Sequence, residues 1–199
     1  MSANQLIIFA KNPILGETKT RLAKSVGHQN ALRIYIHLLE YTAKICLDVN
    51  ADRHIYYSSY IEKDDIFQDR LFVKNLQTGN DLGDRMYNAF KDLFGQWAEK
   101  VVIIGTDCKE LDPDIINNAY KKLDQTDVVI GPANDGGYYL LGMKSLHKEL
   151  FFNKTWSAEN VLLDTILDLK KLKINYELLP VLNDIDYQKD LGDLESLLE

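Results

Sequence analysis

The run Val101-Val102-Ile103-Ile104-Gly105-Thr106-Asp107-Cys108 constrains the fold more than any other stretch of this chain. An unbroken β-branched segment of this kind reads as a parallel strand buried on both faces. It ends in glycine and then presents Asp107, at the carboxyl edge where open α/β sheets bind their ligands. Thr106 and Asp107 are also good N-cap residues, so capping of a following helix is the competing reading.

Further apolar, strand-like runs at 6–10, 53–57, 71–76, 128–130 and 138–143 alternate with segments of helical period. That alternation predicts an α/β domain on a mainly parallel sheet. The segment 31–49 places Ile34, Leu38, Tyr41 and Ile45 on one helical face, and 82–97 does the same with Met86, Phe90, Leu93 and Trp97. Asp112-Pro113 opens another short helix carrying Ile115, Ile116, Ala119 and Leu123. The spacing predicts a fourth helix over 157–171, a late strand over 174–179 ended by Pro180, and a closing helix over 187–198. Only six residues, Pro132 to Gly137, join the strands at 128–131 and 138–143, too few for a crossover helix, so this pair cannot be parallel and the sheet is mixed.

The 199 residues are 46% hydrophobic, enough for one substantial core, and no repeat, low-complexity tract or linker divides them, so one domain over 1–199 is expected. A formal net charge of -7 argues against nonspecific binding to nucleic acid or anionic membranes and favours a small-molecule partner. Cys46 and Cys108 are too few for a disulfide framework, and neither lies in a zinc-type cluster. The apolar run at 6–10 is too short for a signal peptide or a membrane span, which makes the cytoplasm the expected compartment.

Several segments could carry chemistry. The stretch from Lys11 to Leu22 gathers Lys11, Lys19 and Arg21 beside a glycine and two threonines, a composition suited to a phosphate-bearing ligand. It is neither a P-loop, since Thr18 precedes the Lys-Thr pair, nor a dinucleotide fingerprint; a solvated basic loop is the plainer alternative. Asn134-Asp135-Gly136-Gly137 lets backbone approach a ligand closely and puts Asp135 at the same sheet edge as Asp107, although turn formation alone would also explain it. Asp184-Ile185-Asp186 follows the late strand, where either carboxylate could cap a helix or reach toward Asp107. Two aspartates from separate elements suit magnesium, which takes one or two protein carboxylates and fills its remaining positions with water and phosphate. Gly79 to Met86 could cup a base or ribose, with Asp81 as an N-cap the cheaper explanation. His28, His37, His54 and His147 lack metal-type spacing.

The blocks FAKNPILGETKTRLA at 9–23, GNDLGDRM at 79–86, GTDC at 105–108, GPANDGGYYLLGM at 131–143 and DIDYQKDL at 184–191 together resemble a bacterial glycosyltransferase-like family of the radical-SAM/selenodomain-associated type. This family lies within the nucleotide-diphospho-sugar transferase superfamily, and the resemblance covers nearly the whole chain. It implies a GT-A-like three-layer sandwich with a mixed, mainly parallel central sheet. It also implies that Lys19 and Arg21 contact the donor phosphates; Lys11, from the same basic stretch, and Asp81, from the segment that could cup a base or ribose, join them as nucleotide-binding candidates. Asp107 and Asp186 would hold Mg2+ or Mn2+, and Asp135 would lie with Gly136 and Gly137 on the acceptor side, where its carboxylate could orient or deprotonate the acceptor hydroxyl as the catalytic residue. Two positions depart from the family pattern: Lys109 replaces a proline after GTDC, and Tyr187 replaces a threonine after DID.

These expectations describe a metal-dependent transferase passing a glycosyl group from a nucleotide sugar to an unidentified small acceptor. Nucleotidyl transfer from a nucleoside triphosphate, as in 2-phospho-lactate guanylyltransferase, is the alternative. A non-catalytic nucleotide-binding regulator is the third.

Overall fold

The computed structural model describes residues 3–156 and 158–198. Seven strands form one sheet in the order β3-β2-β1-β4-β6-β5-β7. They are β1 (Asn4–Ala10), β2 (Asp52–Tyr57), β3 (Val73–Leu76), β4 (Lys100–Ile104), β5 (Val128–Pro132), β6 (Tyr138–Met143) and β7 (Tyr176–Leu178). Strand β6 runs antiparallel to both β4 and β5, whereas every other pairing is parallel. The short link from β5 to β6 therefore has the consequence expected of it, and the sheet is mixed.

Period-2 alternation along the central strands divides the core into two layers. Leu6, Ile8, Val102 and Ile104 face one side, where they pack with Tyr35, Leu39 and Ala43 of α2 (His28–Cys46) and Ile116, Ala119 and Tyr120 of α4 (Pro113–Lys122). Ile7, Val101, Ile103 and Leu141 face the other, against Met86, Phe90 and Leu93 of α3 (Leu82–Phe94) and Leu169 of α5 (Val161–Leu172). The result is a three-layer sandwich. Full burial of each such side chain is worth about 1.5–3 kcal/mol, so these two faces carry most of the hydrophobic stabilisation. A smaller cluster joins Leu22 and Ala23 of α1 (Thr20–Val26) to Ile34 and Leu38 of α2 and to Ile185, Leu191 and Leu194 of the C-terminal segment.

Five expectations are corrected. The basic segment after β1 is not loop throughout, because α1 begins at Thr20 and buries Leu22 and Ala23. The closing segment is not one α-helix: it forms two short 3-10 turns, Gln188–Asp190 and Gly192–Leu197, with Gly192 at φ 52° interrupting any continuous right-handed helix. The helix predicted over 157–171 begins at Val161, and its predicted start at Ser157 lies outside the described residues. Strand β3 begins at Val73 rather than at residue 71, and the late strand β7 is confined to Tyr176–Leu178. No helix among the described residues is long and apolar enough to cross a membrane.

Candidate functional site

From β1 the chain runs outward through β2 and β3 on one side, then crosses back to place β4 on the other side of β1. The β1/β4 boundary is thus a topological switch point, where the connections after the two strands part and leave a crevice. The segments singled out by sequence meet there. Asp107 follows β4, Lys19 and Arg21 follow β1, and Asp186 arrives from beyond β7. The backbone N–H of Ile185 donates to the Asp107 carbonyl at 2.9 Å, tying the DID segment to the β4 loop.

Asp107 caps no helix. The N-cap of α4 is Asp112, whose carboxylate accepts from the Ile115 N–H at 2.8 Å with Pro113 in the first turn. The Asp107 carboxylate instead receives the Lys19 ammonium, with Nζ to Oδ1 at 2.8 Å, and the same Nζ lies 3.5 Å from Oδ1 of Asp186. Arg21 donates to Oδ2 of Asp186 at 2.8 Å. The cations and carboxylates that the family resemblance assigned to separate ligands are therefore paired with each other.

Lys19 is unusual in two further ways. Its side chain is only 4% exposed, and its backbone sits in the left-handed region at φ 48°, ψ 45° as the N-cap of α1. Non-glycine residues in that region are costly and concentrate at functional sites. Burial pulls the ammonium toward neutrality, but Asp107, Asp186 and Asp184 more than reverse this and leave its pKa raised. Asp184 is the counterpart. Burial first, then repulsion from Asp107, Asp135 and Asp186, pushes its carboxyl up to about 7, with Lys19 offsetting part of the rise.

Asp135 occupies the turn between β5 and β6, exposed, with Oδ1 accepting from the Gly137 N–H at 2.9 Å. Gly136 adopts φ +88°, and a Cβ there would collide with the carbonyl oxygen of Glu159, so this position requires glycine on two grounds. Asp81 caps α3 by accepting from the Asp84 N–H at 2.8 Å. Lys11 is exposed at the end of β1, its backbone N–H and C=O both bonded to the Tyr35 hydroxyl.

Sequence reading missed the parts that hold these loops in place. Buried Asn12 accepts from the Ser59 and Tyr60 N–H groups and donates to the Tyr60 carbonyl, locking the β1 loop to the β2 loop. Glu110 accepts from both the backbone and the side chain of Asn183 at 2.9 Å, and Asn183 in turn accepts from Asn134, linking the β4 loop, the DID segment and the Asp135 turn. Nothing local marks Asn12, Glu110 or Asn183 for these tasks, since their partners are distant in sequence. Asp184 was legible as half of the DID pair. A surface cavity of about 470 Å3 lined by Leu15, Val26, His28 and Arg33 contains none of the candidate residues.

Among the described residues, no group of three or more His, Cys, Asp or Glu side chains could hold a metal ion. The two carboxylates gathered on one ammonium share a cation position, and two is within the one or two that a magnesium ion carrying phosphates takes.

A family model described as "Uncharacterized protein conserved in bacteria (DUF2064)" matches residues 42–158, more than half of the chain. The chain belongs to the DUF2064 family. This DUF2064 member is similar to a provisionally named nucleotide-diphospho-sugar transferase from Desulfovibrio desulfuricans G20, with 31% identity, coverage of 98% of this chain and 87% of that one, and a TM-score of 0.89. It shares its fold with a cytidylyltransferase from Leptospira borgpetersenii serovar Hardjo-bovis at 16% identity, covering 98% and 86% of the two chains with a TM-score of 0.62. It also shares its fold with Mycobacterium tuberculosis Rv0371c, solved in complex with manganese, at 11% identity, 98% and 97% coverage and a TM-score of 0.57. No curated protein matches the chain.

Proposed function

We propose that this protein is a transferase acting from a nucleotide-activated donor, with a nucleotide sugar as donor and a small hydroxyl-bearing molecule as acceptor. The observation that carries the reading is the meeting of Lys19, Arg21, Asp107 and Asp186 at the β1/β4 switch point. The likeness to the Desulfovibrio protein supports the donor class. The narrower kinship with radical-SAM/selenodomain-associated transferases belongs to the same reading and rests on the sequence blocks alone.

In this reading Lys19 and Arg21 bind the donor phosphates, Arg21 by its planar fork and Lys19 as a point charge. Lys11 and Asp81 flank the nucleotide from the ends of β1 and the start of α3. Asp107 and Asp186 are the residues that would hold Mg2+ or Mn2+, and the manganese complex of the fold relative supports a divalent ion. Such an ion, when bound, neutralises charge on the departing diphosphate. Asp135 orients the acceptor hydroxyl and accepts its proton, while Gly136 and Gly137 let the acceptor approach the backbone.

The fold shared with a cytidylyltransferase favours nucleotidyl transfer as the second reading, in which the same cations face a triphosphate and pyrophosphate departs. Products separate the two. A thermal-shift screen of nucleotide sugars and nucleoside triphosphates, each with and without Mg2+ or Mn2+, identifies the donor because a ligand selective for the native state raises its stability. Turnover with the best ligand then releases nucleoside diphosphate or pyrophosphate. No stabilisation by any ligand in the screen refutes both readings, and binding without turnover leaves a nucleotide-binding regulator.

A further inference from the structure

The contacts of Lys19 point beyond phosphate binding. We infer that Lys19 is an internal counter-ion that bars a bare divalent cation from Asp107 and Asp186 and admits the cation only as its nucleotide complex. The inference rests on the nucleotide-transferase reading of this site and names the form in which the donor enters.

The first ground is a shared position. The Lys19 Nζ lies 2.8 Å from Oδ1 of Asp107 and 3.5 Å from Oδ1 of Asp186, between the two carboxylates that would hold a metal ion. An ammonium and a dication cannot both occupy the point where the two carboxylates converge.

The second ground is confinement. The Lys19 side chain is 4% exposed and springs from the fixed left-handed cap of α1, whose carbonyl accepts from the Ala23 N–H at 2.8 Å. An ammonium expelled from the carboxylates has little water to retreat to, and a buried charge without a partner is strongly unfavourable. A bare metal ion would create that state and place two positive charges side by side. A metal–nucleotide complex brings phosphate oxygens that receive Nζ as the carboxylates turn to the metal.

The third ground is the opposing field. A free nucleotide polyphosphate approaching Lys19 meets the carboxylates of Asp107 and Asp186, which already hold its ammonium. Each ligand alone is opposed and the two together are accommodated, which is positive coupling between them. The donor set agrees, since two carboxylates fall short of a cage for a free ion.

The test is titration of MnCl2 alone into the wild type and Lys19→Met, followed by electron paramagnetic resonance. Lys19→Met keeps most of the length of the side chain without its charge, and Arg21 still faces Asp186. Lys19→Asn is the second variant because asparagine tolerates the left-handed backbone at φ 48°. The variants are expected to bind Mn2+ at least about tenfold more tightly than the wild type, within the usual range of coupling between sites. Equal or weaker Mn2+ binding by the folded variants overturns the inference. CDP, GDP and UDP, each titrated in EDTA and in MgCl2, are expected to show a metal-dependent gain in the wild type that shrinks in both variants. A wild type that binds none of the three under either condition removes the transferase reading, whereas the Mn2+ comparison judges Lys19 on its own.

Discussion

The Lys19 Nζ and the Asp107 Oδ1 stand 2.8 Å apart, one from the helix cap that follows β1 and the other from the loop that follows β4. This pair spans the switch point of the sheet and joins two residues that sequence reading had given opposite partners. Its consequences are testable one residue at a time.

Arg21 separates binding from stability. Its side chain is 48% exposed, and an ion pair that open contributes only about 0–1 kcal/mol. Arg21→Ala should leave the thermal midpoint nearly unchanged while weakening nucleotide binding about tenfold, as loss of a charge-assisted phosphate contact does. Calorimetric titration and a melting curve on the same preparation check both.

The two carboxylates should behave as one unit. Asp107→Asn and Asp186→Asn are each expected to reduce the gain in nucleotide affinity that Mg2+ provides, and the double variant should lose little beyond the worse single, because residues sharing one ion do not add. Undiminished metal-assisted binding in both single variants would remove these residues from the metal site.

Asp135 is both turn and candidate base, and the amide variant divides the two. Asn keeps an oxygen able to accept from the Gly137 N–H, so the turn should persist in Asp135→Asn. Donor binding should then be retained and turnover should fall by about 10²–10⁴-fold, the usual worth of a general base. Full turnover would reduce the segment to a turn. Gly136→Ala is the complementary change: strain at φ +88° and the collision with Glu159 should cost at least about 1–3 kcal/mol, read by denaturant unfolding.

His54 supplies a pH dependence far from the site. Burial lowers its pKa below the ordinary 6.5, against a smaller upward pull from Asp52, and its ring bonds Gln5 at 2.7 Å. The unfolded chain therefore takes up this proton at higher pH than the folded one. Its contribution to stability is complete above pH 6.5 and is lost as pH falls from there to the folded pKa. His54→Gln should flatten the decline in melting temperature recorded between about pH 8 and pH 5. An unchanged decline would assign it to carboxylates.

What the sequence disclosed follows from which forces are local. The central strands were legible because burial on both faces demands unbroken apolar runs, as at Val101 to Ile104, and the mixed sheet was legible from the length of one link. Helix α1 was hidden because only Leu22 and Ala23 of its residues are buried, so its pattern reads as a polar loop. The closing 3-10 turns were hidden because hydrophobic spacing alone does not reveal the backbone of Gly192. Pro113 was the local sign that Asp112, not Asp107, caps α4. The segments of the site were legible as chemistry. The attachment of Lys19 to Asp107, and of Glu110 to Asn183, was not, since those contacts depend on where distant loops land.

The reversed direction of β6 gives the crevice a seam. On one side, β1 and β4 deliver the charged groups from their carboxyl ends, whereas across it the Asp135 turn enters by way of a hairpin that begins β6. The turn of that hairpin sets the register of the strands it joins, and it is held by the close approach of Gly136 to Glu159 and by the bond from Asn134 to Asn183. The hairpin bank is therefore anchored from outside the sheet, and a change in its turn reaches the chain at Glu159 and Asn183 as well as the strands it joins.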